Sequence, residues 1–138
     1  MNGTESNVSE MLEKELALQN ANPFRELNRV IPVAVGKDFA EVRLDIEPES
    51  LNCRGTVHGG AYFTMADVCS GMVSRTDGRT YVTQQANVQY VRAVKGGRLT
   101  GRGTVIHRGR TSCLVEVRIT TEEDKLAFLG TFMFHCLG

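Results

Sequence analysis

Asn52-Cys53-Arg54-Gly55-Thr56-Val57-His58-Gly59-Gly60-Ala61-Tyr62-Phe63-Thr64-Met65-Ala66-Asp67 reads as a loop that delivers two glycines to the start of a helix. A first helical turn without side chains leaves its backbone N–H groups free and approachable, an arrangement suited to holding an oxyanion. Asp67 follows two turns later among apolar and small residues, and it is the sole charged residue between Gly59 and Ser74. A carboxylate in such surroundings serves as a general base or a nucleophile. An oxyanion holder and a carboxylate together point to acyl-transfer chemistry.

Successive helical residues turn by about 100°, which puts Ala61, Met65, Val68 and Met72 within about 60° of one another as a core stripe. Asp67 falls about 100° or more from that stripe, beside Gly60, Thr64, Gly71 and Ser74. Those neighbours are small, which leaves room for something to approach the carboxylate. An aspartate that merely faces water is the plain alternative. The lack of other charge on the helix, and the poor helix propensity of aspartate in mid-helix, favour function. Gly59 and Asp67 are eight residues apart, or about 12 Å along one axis. A base and an oxyanion hole acting on one carbonyl must both lie within a few ångströms of it. The two elements are therefore expected to come from different chains across a dimer interface.

Outward from this helix the chain reads as one domain over residues 1–138, with residues 1–20 as an N-terminal extension. Residues 1–6 are polar and expected to be unstructured. Val8, Met11, Leu12, Glu15, Leu16 and Gln19 then recur at helical spacing. Asn22-Pro23 reads as an N-cap with proline at the first helical position, opening a short turn through Leu27. Residues 30–36 are apolar and β-branched enough for a strand. Ala40, Val42, Leu44 and Ile46 alternate with Glu41, Arg43 and Asp45, as a half-buried strand does. Four further strands are predicted near 80–91, 98–108, 111–121 and 125–136, with turns at Gly96-Gly97, Arg108-Gly109 and Glu123-Asp124. Long antiparallel strands around a single apolar helix predict an α+β domain with a curved sheet.

Charge is balanced overall but not along the chain. Residues 1–50 carry ten acids against five bases, whereas residues 79–110 carry seven bases and no acid. Arg79, Arg92, Lys95, Arg98, Arg102, Arg108 and Arg110 make a candidate phosphate-binding surface, with a solvated strand face as the alternative. Tyr81 and Tyr90 are the sole aromatics there and are not interleaved with the bases, so nucleic acid is not the expected partner. The four cysteines show neither a CxxC pair nor metal-ligand spacing with the three histidines, and no metal is expected. Cys69 and Cys113 fall at core positions, and nothing supplies Cys53 with a base. No apolar run approaches the ~20 residues of a membrane span, and the acidic N-terminus lacks a signal-peptide pattern. A cytoplasmic protein is expected.

Asn52, Gly55, His58-Gly59-Gly60, Phe63 and Ala66-Asp67, followed by Asn87-Val88-Gln89-Tyr90, Gly96-Gly97 and Gly109-Arg110, resemble the hotdog-fold acyl-CoA thioesterases of the phenylacetate-pathway (PaaI-like) type. The resemblance spans roughly residues 20–138, and an aspartate nine positions after His58 is its most specific feature. It implies a curved antiparallel sheet wrapped around one long central helix, and hydrolysis of acyl-CoA to free acid and CoA. It also implies a dimer with sites shared at a two-fold axis, and a tetramer of two such dimers. Asp67, Gly59 and Asn52 take the catalytic positions: Asp67 as general base or nucleophile, the Gly59 N–H as oxyanion donor, and Asn52 to position thioester or water. Asn52 reads equally well as a local Asx turn. His58, Gly60, Thr83, Gly109 and Arg110 fall at substrate-binding positions, Thr83 offering a hydroxyl and Arg110 a fork of donors for a CoA phosphate. His58 also reads as a residue that ties down the loop by hydrogen bonding. Phe63, Met72 and Val82 are expected to line the acyl pocket. No cofactor is implied, since CoA belongs to the substrate. Relatives often carry proline near Tyr90-Val91-Arg92-Ala93, where this chain has Arg92-Ala93.

Two other functions fit parts of the pattern: a non-catalytic acyl-CoA-binding module, against which the retained Asp67 argues, and a thioesterase acting on acyl-carrier protein, whose acidity would also suit the basic stretch. A hotdog hydratase generally pairs its aspartate with a histidine five residues on, where this chain has Met72. An open sheet edge on so small a domain is a further reason to expect a homo-oligomer.

Overall fold

The computed structural model describes residues 3–138, with side chains from Val8 onward. The elements are α1 (Gly3–Asn20), α2 (Pro23–Leu27), β1 (Ile31–Gly36), β2 (Phe39–Asp45), α3 (Gly59–Ser74), β3 (Tyr81–Tyr90), β4 (Arg98–Arg108), β5 (Ser112–Thr120) and β6 (Leu126–Cys136). The six strands form one antiparallel sheet in the order β1-β2-β4-β5-β6-β3. This sheet wraps α3 in the hotdog arrangement. The first two residues lie outside the described region, and α1 starts at Gly3, ahead of the expected Val8.

The core lies between α3 and the sheet, and its most buried helical residues are Tyr62, Met65, Ala66, Cys69, Met72 and Val73. The stripe is rotated from the one expected. Met65 and Met72 belong to it, whereas Ala61 is only partly buried and Val68 lies at its margin. A curved sheet meets the helix over a wide arc, so the residues on either side of one narrow stripe are buried too. Glycines in β4 let the helix come close: a Cβ at Gly103 would lie 2.9 Å from Val73 Cγ2 and 3.1 Å from Cys69 Sγ. Burial raises the pKa of the Cys69 and Cys113 thiols, so neither is a ready nucleophile.

The small-residue face of α3 is open at Gly60 and partly at Asp67, while Thr64 between them is buried. Gly71 and Ser74 are buried: the Arg75 guanidinium, itself held by Glu15 of α1, lies over Gly71, and the Ser74 hydroxyl donates back to the Gly71 carbonyl. That pair is bidentate, with Arg75 Nε donating to Glu15 Oε1 at 2.9 Å and a terminal nitrogen to Oε2 at 2.8 Å. Thus α1 docks through buried Glu15 and Gln19, and Leu16 and Leu18 face outward. Of the predicted stripe, Met11, Leu12, Glu15 and Gln19 are on the docked face, whereas Val8 and Leu16 are exposed.

Arg108 caps the same C-terminal end of α3. Its guanidinium donates to the Ser74 and Val73 carbonyls at 2.9 and 3.1 Å, where a cation also complements the helix dipole. It pairs as well with Asp77 at 2.9 Å and Asp38 at 3.0 Å, and donates to Tyr81 Oη at 3.0 Å. Burial alone would raise the Asp77 pKa, but hydrogen bonds from Tyr81 and Arg79, with the charge of Arg108, hold it down at about 2. Burial, then the Asp77 hydrogen bond, pushes the Tyr81 hydroxyl up to about 12. Replacing Arg108 by Met takes a cation from Asp77 and Asp38 and leaves two helix carbonyls without their donor, and is expected to cost about 3 kcal/mol at pH 7. Since the Asp77 pKa is depressed on folding, its contribution is present above about pH 4 and disappears as pH falls toward 2. Urea unfolding should therefore show the difference between wild type and Arg108→Met narrowing below pH 4.

Candidate active site

His58 is the N-cap of α3. Its Nδ1 accepts from the Gly60 N–H at 2.8 Å, and its own N–H donates to the Ser50 carbonyl at 2.8 Å. The imidazole thus fastens the helix start, as its loop-tying reading has it, and the Gly60 N–H is already engaged. Among the described residues the Gly59 N–H has no acceptor, and Gly59 is only partly buried. Both glycines sit close to a neighbouring ring. A Cβ at Gly60 would lie 3.0 Å from His58 Nδ1, and one at Gly59 would lie 3.3 Å from Tyr90 Cε1.

Asn52 shapes the loop before the helix. Its Oδ1 accepts from the N–H groups of Arg54 and Thr56 at 2.9 and 3.2 Å, and its Nδ2 donates to Thr56 Oγ1 at 2.9 Å. This is the Asx turn of the alternative reading, and the amide's hydrogen bonds all run within the loop. These bonds hold the loop that leads into His58 and Gly59.

Asp67 is partly buried, and its Oδ1 accepts a hydrogen bond from Thr83 Oγ1 at 2.8 Å. Thr83 reaches it from β3, whose pairing with β6 slips between Thr83 and Gln85. Such a bulge re-aims side chains, and it falls beside the carboxylate. Asp67 opens into a groove of about 580 Å³ whose walls include Phe24, Phe63, Thr64, Val68 and Tyr90. Among the described residues, Asp67 is the one charged residue lining it. Of the expected acyl-pocket residues, Phe63 lines this groove, Met72 is fully buried in the core, and Val82 is exposed on β3. Phe24 is not among the residues expected there, whereas Tyr90 begins the stretch expected to border the ligand. Tyr90 lies in a quoted motif, and Phe24 directly follows the predicted Asn22-Pro23 cap, yet nothing local marks either as facing Asp67.

Structure thins the basic surface. Arg79 pairs with Asp77, Arg98 with Asp45, Arg102 with Glu41, and Arg108 with Asp38 and Asp77. Arg92, Lys95 and Arg110 make no ion pair among the described residues. They sit at opposite ends of α3. The Arg92 carbonyl accepts from Tyr62 Oη near the helix start, whereas Gly109 and Arg110 form the turn that follows Arg108 at the helix end. Arg79 clamps that turn by donating to the carbonyls of Arg110 and Gly109 at 2.7 and 2.9 Å. Within one chain, then, the fold joins Asp67 to Thr83 and Gly59 to Tyr90, and it holds Gly109-Arg110 away from both Gly59 and the loop of Asn52.

Residues 54–128, more than half of the chain, match the model of the thioesterase superfamily. The chain belongs to the thioesterase superfamily. This thioesterase, a thioester hydrolase, is 26% identical over 130 residues to the acyl-coenzyme A thioesterase PaaI of Escherichia coli, covering 88% of this chain and 92% of PaaI. The solved PaaI structure superposes with a TM-score of 0.87 over 95% of this chain and 96% of its own, a likeness of fold at 20% identity. A hypothetical thioesterase of Streptococcus pneumoniae, solved with coenzyme A, is 33% identical with a TM-score of 0.76, covering 79% of the thioesterase described here and 86% of its own chain. Two further structures of that protein carry alanine in place of one aspartate and of one threonine sixteen residues later. Asp67 and Thr83 have the same separation.

Proposed function

We propose that the protein hydrolyses acyl-CoA thioesters at a site that two protomers share. The observation that carries this reading is Asp67: a lone carboxylate, oriented by Thr83 at 2.8 Å, opening into an otherwise uncharged groove. In the reaction, Asp67 takes a proton from water as the water oxygen attacks the thioester carbonyl. The oxyanion so formed accepts from the Gly59 N–H, aided by the positive end of the α3 dipole. The C–S bond then breaks, and the departing thiolate takes up a proton, leaving free acid and CoA. Direct attack by Asp67 to give a mixed anhydride, which water then hydrolyses, uses the same two groups.

Gly59 belongs to a second protomer in this reading. The two groups lie about 12 Å apart along one helix, too far to act on one carbonyl. β3 is an edge strand with most of its ten residues exposed, and such an edge calls for a partner. An antiparallel pairing about a two-fold axis brings one protomer's Arg110 end of α3 toward its partner's Gly59 end. Arg110, Arg92 and Lys95 can then converge on the CoA phosphates. A tetramer of two such dimers agrees with the family resemblance. The four free cysteines agree with a reducing, cytoplasmic setting.

Thiol release from acetyl-, hexanoyl-, palmitoyl-, phenylacetyl- and benzoyl-CoA tests the activity directly. Turnover of none of them would refute it. Thr83 acts through Asp67 as a positioning residue. Thr83→Val should lower kcat about tenfold, the effect of one lost hydrogen bond to a charged group, and change KM little. Thr83→Ser should restore most of the rate. A serine variant as slow as the valine one would remove the hydroxyl from the mechanism.

A further inference from the structure

Phe24 is 63% exposed although it belongs to a helix held firmly in place. Asn22 caps α2, Pro23 begins it, and Arg25 ties it to the carbonyls of Gln19 and Val30 at 2.7 and 3.2 Å. A large apolar ring fixed in the open by its own backbone is a surface presented to something. Phe24 borders the groove of Asp67, facing Phe63, Val68 and Tyr90 of the main domain. It also borders the adjoining cavity, about 290 Å³, which His58, Gly60 and Thr64 line. Both α2 and Phe24 lie outside the 54–128 segment that defines the superfamily.

We infer that Phe24 forms one wall of the subsite for the acyl group, and that it sets which acyl groups the enzyme accepts. This rests on the acyl-CoA reading above. The electrostatics fix the orientation of the substrate. A thioester within reach of Asp67 has two ends, one bearing several phosphate charges and one apolar. The groove carries a single charge, the negative one of Asp67, and three aromatic rings. Phosphates there would be repelled and stripped of water without compensation, whereas an apolar chain gains by burial against the rings. The unpaired cations Arg92, Lys95 and Arg110 lie outside that lining, and they receive the phosphate end. A groove of about 580 Å³ takes an acyl group much larger than acetyl, with Phe24 as the wall contributed by the N-terminal region.

The test measures kcat/KM for acetyl-, hexanoyl-, phenylacetyl- and palmitoyl-CoA with wild type, Phe24→Ala and Phe24→Trp. Phe24→Ala should lower kcat/KM about tenfold more for the best of the larger acyl groups than for acetyl-CoA. Phe24→Trp should move the optimum to a smaller acyl group. An identical acyl profile in all three proteins overturns the subsite. So does a change in sedimentation on Phe24→Ala with the profile unmoved, because the ring would then face a second copy of the chain. Calorimetric affinities for CoA and hexanoyl-CoA keep the two readings separable. If no ester turns over, hydrolysis fails, but a preference for hexanoyl-CoA over CoA that Phe24→Ala abolishes still supports the subsite. An equal preference in both proteins refutes it.

Discussion

Asp67→Asn should lower thioester turnover by about 10²–10⁴-fold, the range over which a positioned general base acts. The substitution keeps the shape of the side chain, and an asparagine Oδ1 can still accept the Thr83 hydroxyl that now bonds Asp67 Oδ1 at 2.8 Å. Folding and oligomeric state should be unchanged, and KM should move far less than kcat, because what is removed acts in the transition state. Thiol release followed beside sedimentation of the same preparations checks both parts. A variant within tenfold of wild type would mean that the chemistry lies on another residue. Single turnover in ¹⁸O-labelled water separates the two routes that remain. General-base attack puts the label directly into the product acid, whereas an anhydride opened at its aspartyl carbonyl leaves label on Asp67.

Local physics made most of the frame legible. Asn22-Pro23 caps and starts α2 as read, since a side-chain acceptor followed by a residue without an N–H has few other uses. The alternation of Ala40, Val42 and Leu44 with polar residues gave β2, because a half-buried strand imposes period two. His58-Gly59-Gly60 gave the start of α3, and the run of apolar and small residues after it, broken by Asp67 alone, agrees with its length. Pairings between residues far apart in sequence stayed hidden. Arg108 reads as a free cation in an acid-free stretch, yet its partner Asp38 is seventy residues away and the helix end that it caps is more than thirty. Likewise Gly71 looks open on a helical wheel, because the wheel does not show Glu15 of α1 drawing Arg75 across it. The Asp67–Thr83 hydrogen bond joins two residues singled out for separate reasons. What joins them is the sheet, which lays β3 against the outer flank of α3.

Gly59→Pro should cost about 10²–10³-fold in kcat, the cost of losing one oxyanion donor, in a protein that still folds. Gly59 is the first residue of α3, a position where proline is well tolerated because the N–H there has no partner within the helix. His58 ahead of it already has the extended backbone that a residue before proline prefers, with φ −63° and ψ 137°. The added ring meets the edge of Tyr90, which is 54% exposed and free to shift. The substitution therefore removes the proposed oxyanion donor and little else, and it permits a test of the shared site. Asp67→Asn chains keep an intact Gly59, and Gly59→Pro chains keep an intact Asp67. If each site takes one group from each protomer, a mixed dimer has one complete site and one doubly defective site. Unfolding and refolding the two variants together in equal amounts makes half of all dimers mixed, so activity should return to about one quarter of wild type from two nearly inactive parents. If both groups came from one chain, no mixed dimer would contain a complete site, and the mixture would stay as inactive as its parents.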